Sequence, residues 1–208
     1  MARRSSGRRH LPVDSSAILA AALAEADAVG WGALRLHRVA ARLGIPLVEL
    51  YRHYRDADAL AEAWLSVADR AMLAAAGVPG LARRPVPDRL ERTLLAWLDA
   101  LAEHRGTTAQ ILLGKLYPGH PHHLAALVFR LSRTVQWWRE AAGLAAGPPR
   151  RRIEEVALTA LFVATVTCWA VDRSAGQAVT RGVLARSLRA ADSLAGRLFA
   201  GTQSAKRG

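Results

Sequence analysis

The stretch Leu36-His37-Arg38-Val39-Ala40-Ala41-Arg42-Leu43-Gly44-Ile45-Pro46-Leu47-Val48-Glu49-Leu50-Tyr51-Arg52-His53-Tyr54 decides the fold. Leu36, Val39, Ala40 and Leu43 recur at the spacing of one helix face, which predicts a two-turn helix with a single apolar stripe. Gly44 follows where a helix commonly ends in a left-handed residue, a conformation glycine adopts without steric cost. Ile45 then plugs the core, and Pro46, with its fixed φ, suits the first position of another helix running to about Tyr54. On that helix Leu50 and Tyr54 point one way, while Leu47, Val48, Glu49, Arg52 and His53 point elsewhere. Two short helices joined by a glycine turn make a helix-turn-helix unit.

Upstream, Asp14 or Ser15 caps a first helix with Ile18, Ala21, Ala22 and Ala26 on one face, ending at Gly30 and bracing the pair. Residues 1–12 carry Arg3, Arg4, Arg8 and Arg9 without any hydrophobic period, which predicts a flexible basic arm. It suits DNA phosphates or a minor groove, and equally a plain solvated tail.

Downstream, a helix is expected from Asp56 to about Ala76, with Leu60, Trp64, Val67, Ala68 and Ala71 inward. Gly77, Pro79, Gly80, Pro85 and Pro87 break the pattern, making 77–87 the candidate linker. Beyond it, helices are expected at about 88–104, 107–116, 121–142, 149–173 and 177–199. The chain is therefore read as all-α, with about nine helices. It divides into a basic arm (1–12), a helix-turn-helix domain (13–56) and a helical remainder (57–208).

Composition agrees, since 51% of the 208 residues are apolar and β-strand alternation is scarce. The formal charge of +12 suggests a polyanionic partner. Only Lys115 and Lys206 are lysines, so an arginine-rich composition is a rival cause, and the location of the charge matters more. Residues 1–55 hold nine arginines and four acids, which concentrates positive charge on the expected reading head. A lone cysteine, Cys168, excludes an intrachain disulfide, and the start lacks a signal-peptide core, so the cytoplasm is the natural compartment. The uncharged run Val156–Val171 is shorter than the roughly 20 residues of a membrane span. It reads as a buried helix that must be covered on every side; together with the stripe Leu184, Leu188, Ala191, Ala195 and Leu198 of the last helix it suggests a dimer interface, and no stable membrane insertion is expected.

Residues 36–60, with a match extending back to Ile18 and forward to Trp64, resemble the tetracycline-repressor (TetR) family. The resemblance lies in the Val39-Ala40 pair before Leu43-Gly44, then Leu50-Tyr51 and Tyr54, then an acidic stretch ending in Leu60. It implies an N-terminal DNA-binding head, a C-terminal effector-binding and dimerisation bundle, and a homodimer on a palindromic stretch of double-stranded DNA. By position, Tyr51 and His53 match phosphate contacts of the family, and His37 and Arg38 match contacts from its second helix. Leu47, Val48, Glu49 and Arg52 occupy the reading surface. Arg52 can donate to guanine or phosphate, Glu49 can only accept, and Leu47 or Val48 suits a thymine methyl. This chain departs from the pattern at Arg35, where Thr or Ser is usual and a replacement phosphate contact is expected. It departs also at Pro46 for Ser, Val48 for Gly and Ala57 for Lys.

The resemblance also implies an effector cavity enclosed by helices that carry Trp64, Trp97, Phe129, Trp137, Phe162 and Trp169. One stripe of the 121–142 helix runs through Leu124, Leu127, Val128, Leu131, Val135 and Trp138, so Trp137 lies about 100° off it and serves the cavity or a partner subunit. With few ionisable groups inside the expected bundle, an apolar or amphipathic effector follows. His120, His122 and His123 have poor metal spacing and read as a solvated loop, and Cys168 reads as packing. No metal or cofactor is expected. The absence of a phosphate loop, a paired Glu-His motif or a nucleophile elbow points away from an enzyme.

A rival reading rests on Trp169-Ala170-Val171-Asp172-Arg173-Ser174 with Thr180-Arg181, similar to the end of isoprenoid-binding ubiquinone-biosynthesis proteins that share the TetR fold. It implies a lipid-binding accessory protein with a vestigial helix-turn-helix.

Overall fold

The computed structural model describes residues 14–114 and 121–204, with side chains described outside 121–127 and 198–204. Among them are nine α-helices: α1 (Ser15–Val29), α2 (Leu36–Leu43), α3 (Leu47–His53), α4 (Ala57–Ala76), α5 (Val86–Leu101), α6 (Arg105–Gly114), α7 (Pro121–Ala141), α8 (Arg150–Val171) and α9 (Ala178–Ser204). No strand occurs among the described residues, and the all-α expectation stands. The arm at 1–12 and His120 lie outside the described residues, as do the side chains of Leu124, Leu127, His122 and His123.

The chain forms two compact units, Met1–Trp64 and Leu65–Gly208, with the first two turns of α4 counted in the former. In the first unit α1 lays Ile18, Leu19, Ala22, Leu23 and Ala26 into the core, α2 adds Val39 and Ala40, and α3 adds Leu50. Leu60 and Ala61 are fully buried as well. Full burial of a side chain such as Leu50 is worth about 2 kcal/mol. The Tyr54 hydroxyl ties the end of α3 to the start of α1 by donating to the Ser15 carbonyl at 3.1 Å.

In the second unit α5 packs on α7 and α9, α8 on α7 and α9, and α6 on α8. Its core is aromatic: the rings of Trp97 and Phe162 meet edge-on at 5.2 Å, and Trp138 lies 6.1 Å from Phe162. A polar cluster is buried with it. Asp69 on α4 pairs with Arg130 on α7 at 2.7 Å and accepts the Trp97 indole N–H at 2.9 Å. At the α8–α9 corner Asp172 accepts from the backbone N–H and hydroxyl of both Ser174 and Thr180, at 2.6 to 2.8 Å. These hydrogen bonds hold its carboxyl well below the usual carboxylate range.

Three expectations are corrected. The Gly/Pro segment 77–87 is a folded corner inside the second unit, because a short 3-10 turn at Leu81–Arg83 buries Leu81. Pro46 stands one residue before α3 as its N-cap, with ψ 146°, because its extended backbone ends the turn rather than starting the helix. Helix α8 is long and apolar enough to cross a membrane by length and composition, yet it is buried on one side only. Leu158, Phe162, Thr165 and Trp169 face the core, whereas Ile153, Val156, Val163 and Val171 are exposed. Among the described residues α6, α7 and α9 are the elements that pack most on α8.

Candidate nucleic-acid interface

The turn between α2 and α3 is built from backbone alone. Gly44 sits at φ 65°, ψ 28°, in the left-handed region. Its N–H donates to the Ala41 carbonyl at 3.1 Å, and the Ile45 N–H reaches the Ala40 carbonyl at 3.1 Å. These two bonds satisfy carbonyls that the end of α2 would otherwise leave orphaned, and they drop Ile45 into the core as a hydrophobic plug. Helix α3 then starts within three residues of the end of α2, with Leu50 inward and its remaining surface free.

That surface carries Leu47, Val48 and Tyr51, which are 51%, 60% and 58% exposed, together with exposed Arg52 and His53. Three large apolar groups left open on a seven-residue helix are costly in water and suit a partner surface. Glu49 is less open and faces its own helix neighbours: it pairs with the Arg52 guanidinium at 2.6 Å and lies 3.8 Å from His53 Nε2. The acid therefore holds Arg52 in place on the α3 surface rather than standing alone before an anion.

On α2, His37 and Arg38 are exposed. Arg38 lies 4.0 Å from Glu25 of α1, and Arg42, which sequence reading did not select, lies 3.7 Å from the same carboxylate. Arg42 follows Arg38 by one turn, and that spacing was the available signal. Arg35 makes no side-chain cap; its guanidinium turns back to donate to the Leu34 carbonyl at 3.1 Å. The nine expected DNA-facing residues thus fall on one short segment, with Arg35 folded against its own turn.

Of the six residues expected around an effector cavity, Trp97 and Phe162 meet in the core of the second unit. Trp64 is buried within the first unit. Trp97 and Phe162 fill the core against each other, and Trp169 is fully buried with its indole N–H unpartnered. Phe129 and Trp137 are 73% and 47% exposed. Arg130 and Thr134 are turned inward beside Val135 and Trp138, with Arg130 paired to Asp69, whereas Val128, placed on the inward stripe by sequence, is 56% exposed. Among the described residues no cluster of three metal-ligating side chains occurs.

A left-handed glycine turn between two short helices, with an open second helix at the front of an all-helical chain, defines a helix-turn-helix regulator. Comparison with family profiles and with curated protein sequences gives no match. Among solved structures, a TetR transcriptional regulator from Nitrosomonas europaea is 37% identical, with a TM-score of 0.77 over 86% of this chain and 97% of that one. Two regulators from Rhodococcus, at 23% and 17% identity with TM-scores of 0.53 and 0.56, share the fold. The chain belongs to the TetR family of transcriptional regulators.

Proposed function

We propose that this protein is a repressor that binds a palindromic operator as a homodimer and releases it when a small apolar or amphipathic effector binds. The observation that carries the reading is the open face of α3, where Leu47, Val48 and Tyr51 are exposed together with Arg52 and His53. Apolar groups there suit thymine methyls, and the arginines of α2 and α3 suit guanine edges and phosphates. Tyr51 and His53 are assigned to phosphates, His37 and Arg38 to backbone contacts from α2. Dimerisation is supported by the uncovered side of α8, where Ile153, Val156 and Val163 are exposed, together with exposed Val179 and Leu194 on α9. Twofold partners would set their α3 helices about 34–36 Å apart, one turn of DNA.

The test is a gel-shift series across salt with DNA from around the protein's own gene. Saturable binding to a palindrome is expected, tighter than to random DNA by about a thousandfold or more and weakening steeply as salt rises. Equal binding to all sequences, or none, would discard the reading and favour a lipid-binding accessory role.

A further inference from the structure

Arg52 stands at the centre of the open face of α3. It and Val48 each lie two residues from buried Leu50, about 160° round the helix from it, which makes them the most outward positions. Glu49 lies one residue from Leu50, about 100° round, on the flank of that face. From the flank its Oε2 reaches Arg52 Nη1 at 2.6 Å, and its Oε1 stands 3.8 Å from His53 Nε2. The Arg52 side chain is 70% exposed and that of Glu49 26%, so the acid lies low and the guanidinium stands out. Among the described residues Nε and Nη2 of Arg52 make no hydrogen bond.

An exposed pair of this kind adds little to stability. Its consequence is electrostatic and geometric. DNA offers an arginine two kinds of acceptor, and they respond differently to a carboxylate already at its side. A phosphate is a full anion: it meets Arg52 as half of a neutral pair and repels the Glu49 charge. The O6 and N7 of guanine are uncharged acceptors that take two N–H donors side by side. Nε and Nη2 supply such a pair while Nη1 stays with Glu49, so contact with guanine leaves the brace intact.

We propose that Glu49 is a positioning residue that sets operator specificity, bracing Arg52 for a guanine edge and withdrawing it from the phosphate contacts that every DNA sequence offers. The proposal rests on the operator reading above and assigns to the base an arginine that sequence leaves open between guanine and phosphate.

The test uses the full chain, a duplex library randomised across two half-sites, and one duplex of scrambled sequence. Wild type is expected to enrich a guanine in each half-site that Arg52→Gln no longer enriches. Glu49→Gln keeps the shape and removes the charge. It should bind the scrambled duplex more tightly, steepen the dependence of log K on log salt by about one unit per chain, and lower the ratio of selected to scrambled affinity at least about fivefold. A carboxylate that only steadied α3 would weaken both duplexes alike on removal and leave the slope unchanged. In the Arg52→Gln background the Glu49→Gln change should move the ratio less than about twofold, because the carboxylate acts through Arg52. Glu49→Ala carries the same expectations if Glu49→Gln does not retain the helical signal. The proposal is overturned if no enriched guanine is lost in Arg52→Gln, if the slope in Glu49→Gln is unchanged or shallower, if the ratio does not fall, or if it falls equally with and without Arg52. Wild type enriching no sequence overturns the operator reading and this inference with it, whereas enrichment that Glu49→Gln leaves untouched overturns this inference alone.

Discussion

Helices α3 and α8 both leave apolar side chains uncovered, yet what lies between those side chains differs. On α3, Leu47, Val48 and Tyr51 share a single short helix with Arg52 and His53, and Arg38 and Arg42 lie on the preceding helix of the same unit. On α8, exposed Val156 and Val163 are accompanied by exposed Ala157, Ala160 and Ala164, and no charge interrupts the helix from Val156 to Val171. The first surface mixes cations with methyl groups, as a polyanion with apolar edges requires. The second is apolar and low-relief, so another helix can approach it closely. Exposure alone does not distinguish the two; the interleaved residues do.

The comparison breaks most readily at α8. The double substitution Val156→Glu with Val163→Glu places unpaired carboxylates where a partner helix is expected, and the dimer should give way to a monomer mass by light scattering at micromolar protein. Operator affinity should fall about 100-fold or more, equivalent to about 3 kcal/mol. A wild-type monomer under the same conditions would end the contrast between the two surfaces.

A smaller effect is expected at the turn that presents α3. Gly44→Ala meets no atom within 4 Å of its Cβ, so its cost is the left-handed backbone alone, about 1–2 kcal/mol. Hydrogen exchange should loosen in α2 and α3 and stay unchanged in α8 and α9. Equal loosening in both units would mean that they do not open separately.

The smallest and most conditional effect lies at Asp172, which holds the corner from which α9 returns along α8. Its carboxyl is depressed in the folded chain, so the stabilisation is present above the unfolded value of 3.8 and is lost as pH falls below it toward the folded value. Asp172→Asn should therefore melt below wild type at neutral pH, and the gap should narrow as the pH drops below about 4. A gap that is constant across that range would assign the effect to packing rather than charge.

Legibility in the sequence tracks how local the cause is. The α2–Gly44–α3 unit was readable because its stripe, its left-handed glycine and its plug at Ile45 are all set within ten residues. The limits of α2 coincide with the expected span, and most others shift by one or two residues. The inward side of α7 was readable in part: Val135 and Trp138 of the expected stripe are buried and Trp137 lies off it, but nothing in the helix's own sequence marks Arg130 and Thr134 as buried, and Asp69, 61 residues earlier, makes their burial affordable. The open side of α8 is what the sequence reading of a dimer interface on the 149–173 and 177–199 helices leaves exposed in a single chain. The pairing of Glu49 with Arg52 and His53 was within reach, because carboxylate and cation stand three and four residues apart on one helix.

Helix α4 contributes to both compact units without a break: Leu60, Ala61 and Trp64 are buried in the first, and Leu65, Ala68 and Met72 in the second. It follows that the two units are not interchangeable cassettes. A chimaera that joins a foreign head to this bundle must splice inside a helix of about 30 Å. A junction at residue 56 leaves the head without Leu60 and Ala61, so only in-phase exchange within α4 preserves both cores.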